Sequence, residues 1–518
     1  MKNNRMKNNP IIWSDFPDPD VIRVENTYYM VTTTMHMMPG CAILRSYDLI
    51  HWEHASYVFE RLEETKAQAL EGTEQIYGKG MWAASLRFHN GVFYVCFVAN
   101  DTGKTYLFTS NQVEGPWSRQ TIEGFYHDNS LLFDEDGCVY IVYGNTDIYI
   151  TQLEEDLAGP KKGGLHRIII RDEEPFFLGY EGAHIYKIDG RYYVFLIHIS
   201  KSGYQRRTQA CFWSDTLDAM FTGMEVLDDD MGYFNAGVAQ GGIVDTKNGD
   251  WYSILFQDHG AVGRVPVVVP MKWENRVPVL GNDKKVEFKI NVESMKPEYL
   301  YKPLVGSDDF GYQVDQAGKV HLNDVWQWNH LPDDDLWTVT KQKGVYQITT
   351  GKISENIHYA VNTLTQRTFG PACQAQVTVD GSALKEGDYA GLCLLIGTYG
   401  FIAITKREGE LELSVIVNEA QDDDLFEKMI TLEPGREIAK TQLHTALIRV
   451  KAVCDFVNNR DEVTFYYLQD GEWIKLGSTH RMFYKLDHFM GARFGLFHYA
   501  TKEIGGRSGF SQFEYEIL

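Results

Sequence analysis

Five residues stand eleven or twelve positions ahead of a recurring tyrosine, and their chemistry is the most informative feature of the chain. Asp18 lies eleven residues before Tyr29, while Trp82, Asp128, Glu181 and Gln240 lie twelve before Tyr94, Tyr140, Tyr193 and Tyr252. Three carboxylates and an indole in one register are suited to breaking a glycosidic bond. That reaction needs a carboxylic acid to protonate the leaving oxygen and a carboxylate to activate water or attack carbon. A third carboxylate beside the acid would raise its pKa by like-charge repulsion and orient it. Singly, each residue has a plainer role. Asp18 between Pro17 and Pro19 suits a turn, Asp128 suits a turn cap, Glu181 a solvated loop and Trp82 a core. The shared register sets them apart.

The tyrosines belong to a short repeat: Glu25-Asn26-Thr27-Tyr28-Tyr29, Asn90-Gly91-Val92-Phe93-Tyr94, Asp136-Gly137-Cys138-Val139-Tyr140, Asp189-Gly190-Arg191-Tyr192-Tyr193 and Asn248-Gly249-Asp250-Trp251-Tyr252. Asn-Gly and Asp-Gly supply the positive φ of tight hairpins, and apolar strands flank each turn. Tyrosine spacings of 65, 46, 53 and 59 residues fit a four-stranded blade with loops and exclude a strictly periodic solenoid. The expectation is a five-bladed β-propeller over residues 1–290, with an open sandwich of repeated hairpins as the alternative. Inner strands of a propeller line its channel, so the five register residues are expected to converge at one mouth of it.

The repeat lapses over 291–310, read as a linker containing Pro297 and Pro303. Beyond it, alternation such as Glu410-Leu411-Glu412-Leu413-Ser414-Val415 marks half-buried strands, and 311–518 reads as a β-sandwich. The fold class is therefore all-β.

A net charge of −22 without a Lys/Arg cluster argues against nucleic acid and anionic membrane surfaces as partners, and leaves neutral ligands open. Thirty tyrosines, 28 phenylalanines and 11 tryptophans suit β structure and stacking on sugar faces. Seven cysteines without a CxxC pair read as free thiols in a reducing compartment. No apolar stretch follows the basic first nine residues, and a cytoplasmic location is expected. A homo-oligomer is left open.

These segments resemble glycoside hydrolase family 43, the β-xylosidases, α-L-arabinofuranosidases and arabinanases. Asn9-Pro10-Ile11-Ile12 with Phe16-Pro17-Asp18-Pro19-Asp20 is similar to the family's opening, His127-Asp128-Asn129-Ser130-Leu131-Leu132-Phe133-Asp134 to its second acidic motif, and Tyr180-Glu181-Gly182-Ala183-His184 to its third. The resemblance implies that Asp18 is the general base, Glu181 the general acid, and Asp128 the group that modulates and orients the acid. The region from Trp326-Gln327-Trp328 resembles the concanavalin-like sandwich of larger relatives, which helps close the pocket and favours exo action.

The departures are also informative. Asp20 stands where Ser is usual, and Ala84 and Ala183 stand where Pro is usual. Met35-His36-Met37-Met38-Pro39-Gly40 replaces a Phe-Glu-Trp-Phe-Pro-Gly segment of the sugar-facing wall, which favours arabinofuranose over xylose. Gln240 replaces a fifth-blade His that binds a calcium or its water shell in many relatives. A structural calcium is left open, and no cofactor is expected to be required. His36, Trp82, Gln240, His259 and Arg264 are the expected substrate-binding residues, with a structural ion pair as the alternative for Arg264. The reading is an exo-acting, inverting hydrolase releasing terminal pentose from neutral plant-wall oligosaccharides such as arabinoxylan fragments. A non-catalytic sugar-binding protein, an endo-arabinanase and an interaction propeller are its rivals.

Overall fold

A computed structural model describes residues 7–173, 176–201 and 203–518. It is all-β, with three single-turn 3-10 helices among the described residues, at Gly260–Val262, Ile357–Tyr359 and Val457–Asn459. No helix among them is long and apolar enough to cross a membrane.

Five four-stranded antiparallel sheets follow one another along the chain. Blade I comprises Asp20–Val24, Thr27–Thr32, Gly40–Ser46 and Glu53–Phe59, and blade II runs from Met81–His89 to Ser118–Ile122. Blades III, IV and V begin at Ser130–Phe133, Glu181–Ile188 and Ile243–Asp245. Each repeat tyrosine sits in the second strand of its blade, after a turn such as Asn90-Gly91 (φ +50° and +80°) or Asp189-Gly190 (φ +49° and +73°). Apolar side chains from neighbouring blades interdigitate. Val31 and Phe59 of blade I meet Phe97 and Phe108 of blade II, and Tyr28 and Met30 meet Ile254 and Val268 of blade V. Burial of this kind, at about 25 cal/mol per Å² of apolar surface, holds the blades face to face.

Among the described residues, no strand is exchanged between blades I and V. The ring is clasped instead by a short pairing of Lys7–Asn8 with Lys289–Ile290. The Asn9 amide reinforces it, donating to the Val268 carbonyl and accepting from the Val268 N–H at 2.8 and 3.0 Å.

The second unit is two facing sheets. One contains Ala372–Ala383, Leu447–Asp455 and Arg507–Ile517. The other runs in the order Arg436–Gln442, Glu410–Val417, Gly400–Arg407, Asp388–Leu395, Arg493–Ala500, Leu364–Arg367, Gln327–Asn329 and, as its last strand, Met37–Met38 of the propeller. Met38 pairs with Trp328 and Met37 with Asn329. The segment between the units folds back on blade I: the Tyr299 hydroxyl donates to Glu53 Oε1 at 2.5 Å and the Lys302 N–H to Glu53 Oε2 at 2.8 Å. The two units thus share a sheet and a packed interface.

Candidate active site

All five register residues line one cavity of about 150 Å³ at the propeller axis. The backbone explains why. Asp18, Asp128 and Gln240 all adopt left-handed conformations, φ +52°, +47° and +59°, just before the inner strand. In blades II and IV the register instead shifts between Met81 and Ala84 and between Glu181 and His184. Both devices turn one side chain out of the sheet toward the axis. Non-glycine residues in this region of φ/ψ space cost about 1 kcal/mol or more, so three at equivalent positions mark a constraint on side-chain direction.

Asp18 is held at both carboxylate oxygens. Thr33 Oγ1 donates to Oδ2 at 2.8 Å and Arg264 Nη1 to Oδ1 at 3.0 Å. The Arg264 guanidinium lies between the rings of Phe256 and Phe489, 4.8 and 4.5 Å from their centroids. The two readings of Arg264, cavity residue and ion pair, therefore coincide.

Across the cavity, His127, Asp128 and Glu181 gather their polar atoms within 4.8 Å of one another. His127 Nε2 is 3.4 Å from Glu181 Oε2 and 3.8 Å from Asp128 Oδ2, and Asn145 Nδ2 also donates to Glu181 Oε2. Burial, with Glu181 and Asp18 nearby, pushes the Asp128 carboxyl up to about 7, although His127 opposes the shift. Asp128, and then the bond to Glu181, outweigh burial at His127 and push that imidazole up to about 9. Asp128 is thus itself a carboxyl held up toward neutrality, beside a cationic histidine.

Trp82 forms another wall, with its indole N–H buried and no protein acceptor among the described residues. Such a donor is available to a sugar hydroxyl. Leu486 and Phe489 of the sandwich complete the lining, and Phe177, 61% exposed, stands on the propeller side.

Two expected substrate-binding residues lie elsewhere. His36 is fully buried behind the wall, its ring centroid 4.6 Å from Tyr77, 4.9 Å from His330 and 5.3 Å from His488. Its neighbour Met35 lines the cavity instead, from a left-handed backbone conformation, φ +48°, so that the chain turns between the two side chains. His259 is 5% exposed, stacks on Tyr233 at 4.0 Å, and its Nε2 is paired with Gln257 Oε1 at 2.8 Å, which places it outside the lining. Arg207, Asn145, His127 and Phe489 were not singled out in the sequence. Only His127 carried a signal, its place beside Asp128.

The axis beyond the cavity is closed by charge. Asp20, fully buried, accepts from Arg87 Nη1 at 2.7 Å and lies 3.1 Å from His184 Nδ1. Burial alone would raise its pKa, but Arg87 and His184 bring it down to about 2. Arg87 also donates to Ser130 Oγ and the Ile185 carbonyl, tying four blades together. The Arg87 guanidinium already balances the Asp20 carboxylate, and Gln240 brings no charge, so these residues do not fit a calcium ion. A larger groove of about 660 Å³ lies between the outer strand of blade I and the sandwich, walled by Tyr57, Trp328 and Trp337, and contains none of the register residues.

A propeller with three carboxylates and a buried indole donor around a monosaccharide-sized cavity is a glycoside hydrolase. Residues 7–278 match the family described as glycosyl hydrolases family 43, and residues 317–516 match the β-xylosidase C-terminal concanavalin A-like domain. The chain belongs to glycosyl hydrolase family 43. A relative named putative beta-xylosidase from Xylanibacter ruminicola is 29% identical over 383 residues, covering 72% of this chain and 69% of that one. A solved structure described as a bifunctional GH43-CE protein of Bacteroides eggerthii is 38% identical with a TM-score of 0.90. It covers 98% of this chain, which spans only 63% of that longer protein. A second structure is described as an engineered GH43 enzyme with endo-xylanase and exo-arabinofuranosidase activity. It is 27% identical, has a TM-score of 0.86 and covers 99% of both chains.

Proposed function

We propose that the chain is an exo-acting, inverting hydrolase that removes a terminal pentose, α-L-arabinofuranose or β-D-xylose, from neutral plant-wall oligosaccharides. The observation that carries this reading is the cavity. Its volume of about 150 Å³ equals roughly five waters at about 30 Å³ each, the scale of one sugar ring. The sandwich side chains Leu486 and Phe489 wall it in, which suits a chain end better than a chain interior. A surface of net charge −22 favours an uncharged substrate and disfavours nucleic acid and anionic membranes.

In the proposed single displacement, Asp18 takes a proton from water as that water attacks the anomeric carbon. Glu181 gives its proton to the leaving oxygen, and Asp128 sets the charge around Glu181. Inversion needs the two working carboxyls about 6.5–9.5 Å apart, with water between them. Asp18 stands on blade I, outside the tight grouping of His127, Asp128 and Glu181, which supports such a gap. No cofactor is required by this chemistry.

Asp18→Ala and Glu181→Ala are expected to lose most turnover on oligosaccharides, on the order of 10³-fold or more, with little change in Tm. The Glu181 variant should lose less on a nitrophenyl pentoside, whose leaving group needs no proton. Proton NMR of the first sugar released should show the anomer opposite to the substrate's. Retained configuration, or near-parental oligosaccharide hydrolysis by either variant, refutes the reading. A panel of nitrophenyl arabinofuranoside, xyloside and galactoside should show activity on pentosides only.

A further inference from the structure

We infer that His127 is a positioning residue for the acid. With Asn145 it occupies Oε2 of Glu181, so that Oε1 is the oxygen that carries the proton to the leaving group, and its imidazolium stabilises the carboxylate left behind. The inference rests on the proposed role of Glu181 as general acid. It starts from an asymmetry in that carboxyl. Both described donors within reach, His127 Nε2 at 3.4 Å and Asn145 Nδ2, approach the same oxygen, Oε2. A carboxylic acid has one O–H, and an oxygen facing two N–H donors is a poor place for it. The proton is therefore on Oε1. Such an arrangement gives a flexible glutamate a single productive orientation.

The charge argument is independent of the orientation. When the acid discharges, a carboxylate appears in a largely enclosed site beside Asp128, which is 6% exposed, and repulsion between the two opposes the step. A cation touching both is the direct remedy, and His127 lies within 4 Å of each. Its ring leans on Trp82, centroids 5.6 Å apart, which fixes its direction, and its side chain is 22% exposed. Among the described residues, the other charged groups acting on the carboxyl pair are Asp18 of blade I, Arg207 of blade IV and Arg264 of blade V, with Tyr484 of the sandwich facing the two arginines. Arg264 is committed to Asp18 and Arg207 to Asp258. Among the described residues, His127 is thus the cation in direct contact with Glu181. Proton balance closes through solvent. Glu181 loses its proton to the leaving oxygen, Asp18 gains one from the attacking water, Asp18 releases it, and Glu181 is reprotonated at Oε1. The imidazolium keeps both of its protons throughout.

The test uses His127→Gln and Asn145→Ala in the whole chain, with Glu181→Gln alongside. His127→Gln keeps a donor and removes the charge. Its kcat on an unactivated oligosaccharide should fall about tenfold or more, and on a nitrophenyl pentoside by less than about threefold. Because a lost cation raises a neighbouring carboxyl's pKa, the alkaline limb of its pH profile should move upward, by about half a unit or more. Asn145→Ala should show the same leaving-group selectivity, with KM unchanged in both variants. Superimposable pH profiles, or equal losses on both substrates, would overturn the inference for His127 while an inactive Glu181→Gln kept the parent reading intact. An active Glu181→Gln would instead remove the acid assignment. Melting curves within a few degrees of the parent exclude misfolding as the cause.

Discussion

At the scale of single residues, the arrangement around Asp18 predicts how finely its direction is set. Arg264 holds one oxygen and Thr33 the other, so each partner can be removed in turn. Thr33→Val is nearly isosteric and deletes only the hydroxyl, a hydrogen bond to a charged group worth about 1.5–3 kcal/mol. If Asp18 works as a base whose aim matters, kcat should fall about tenfold while Tm moves little, and steady-state kinetics with a melting curve measure both. Arg264→Gln should cost more, about 10²-fold, since it also strips the counter-charge from a buried carboxylate. Unchanged kcat in Thr33→Val would mean the pair serves folding alone. The three carboxylates, Trp82 and Gln240 were legible in the sequence because a repeat gave them a common register. Arg264 was legible through resemblance. Arg207 and Asn145 were not, because Arg207 enters the cavity from the start of a third strand and Asn145 reaches Glu181 from the loop between a second and a third strand, where the tyrosine count gives no frame.

At the scale of elements, the same counting located all five blades, because Asn-Gly and Asp-Gly turns and apolar strands are local in the chain. Local pattern has no access to long-range pairing, and that is where the reading fell short. Met37–Met38 looks like part of a sugar-facing loop, yet it becomes the edge strand of a sandwich sheet, paired with residues some 290 positions away. His36 goes into the interface with it. The backbone devices that aim the carboxylates make a separate prediction at Gly182. Its φ is +64°, and a Cβ there would stand 2.8 Å from Cδ and Cγ of Gln240. Gly182→Ala therefore carries a left-handed penalty of about 1–2 kcal/mol and displaces Gln240 as well. A Tm lower by several degrees is expected, together with a loss of turnover well beyond that instability, since the peptide being strained follows Glu181. Parental kinetics in a correctly folded Gly182→Ala would show that this bulge does not set the aim of Glu181.

At the scale of the whole molecule, propeller and sandwich depend on each other through buried neutral histidines. His36, His330, His358 and His488 surround Tyr77 where the two units meet, and burial depresses all four, His358 to about 4 and His488 to about 3. A histidine whose folded pKa lies below its unfolded value of about 6.5 binds its proton more readily when unfolded. Its contribution is therefore intact above pH 6.5 and erodes as pH falls toward the folded value, by about 1.4 kcal/mol per pH unit for each group. Four together reach about 5–6 kcal/mol per unit, comparable to the whole stability of many domains. Asp128 acts in the opposite sense: with its folded pKa raised to about 7, it favours the folded state on acidification. One such group offsets one histidine. Tm should therefore drop steeply between pH 6.5 and 5, with sandwich and propeller melting together. His36→Phe isolates one member of the set. Neither His36 ring nitrogen has a protein partner among the described residues, so the change removes an unsatisfied polar group, worth about 1–3 kcal/mol, and one titrating proton. The variant should be more stable at neutral pH and should lose stability less steeply below 6.5, by about one histidine's share, with KM for a pentoside unchanged. A raised KM would return His36 to the sugar-facing wall, and an unaltered pH slope would show that the interface histidines do not govern acid stability.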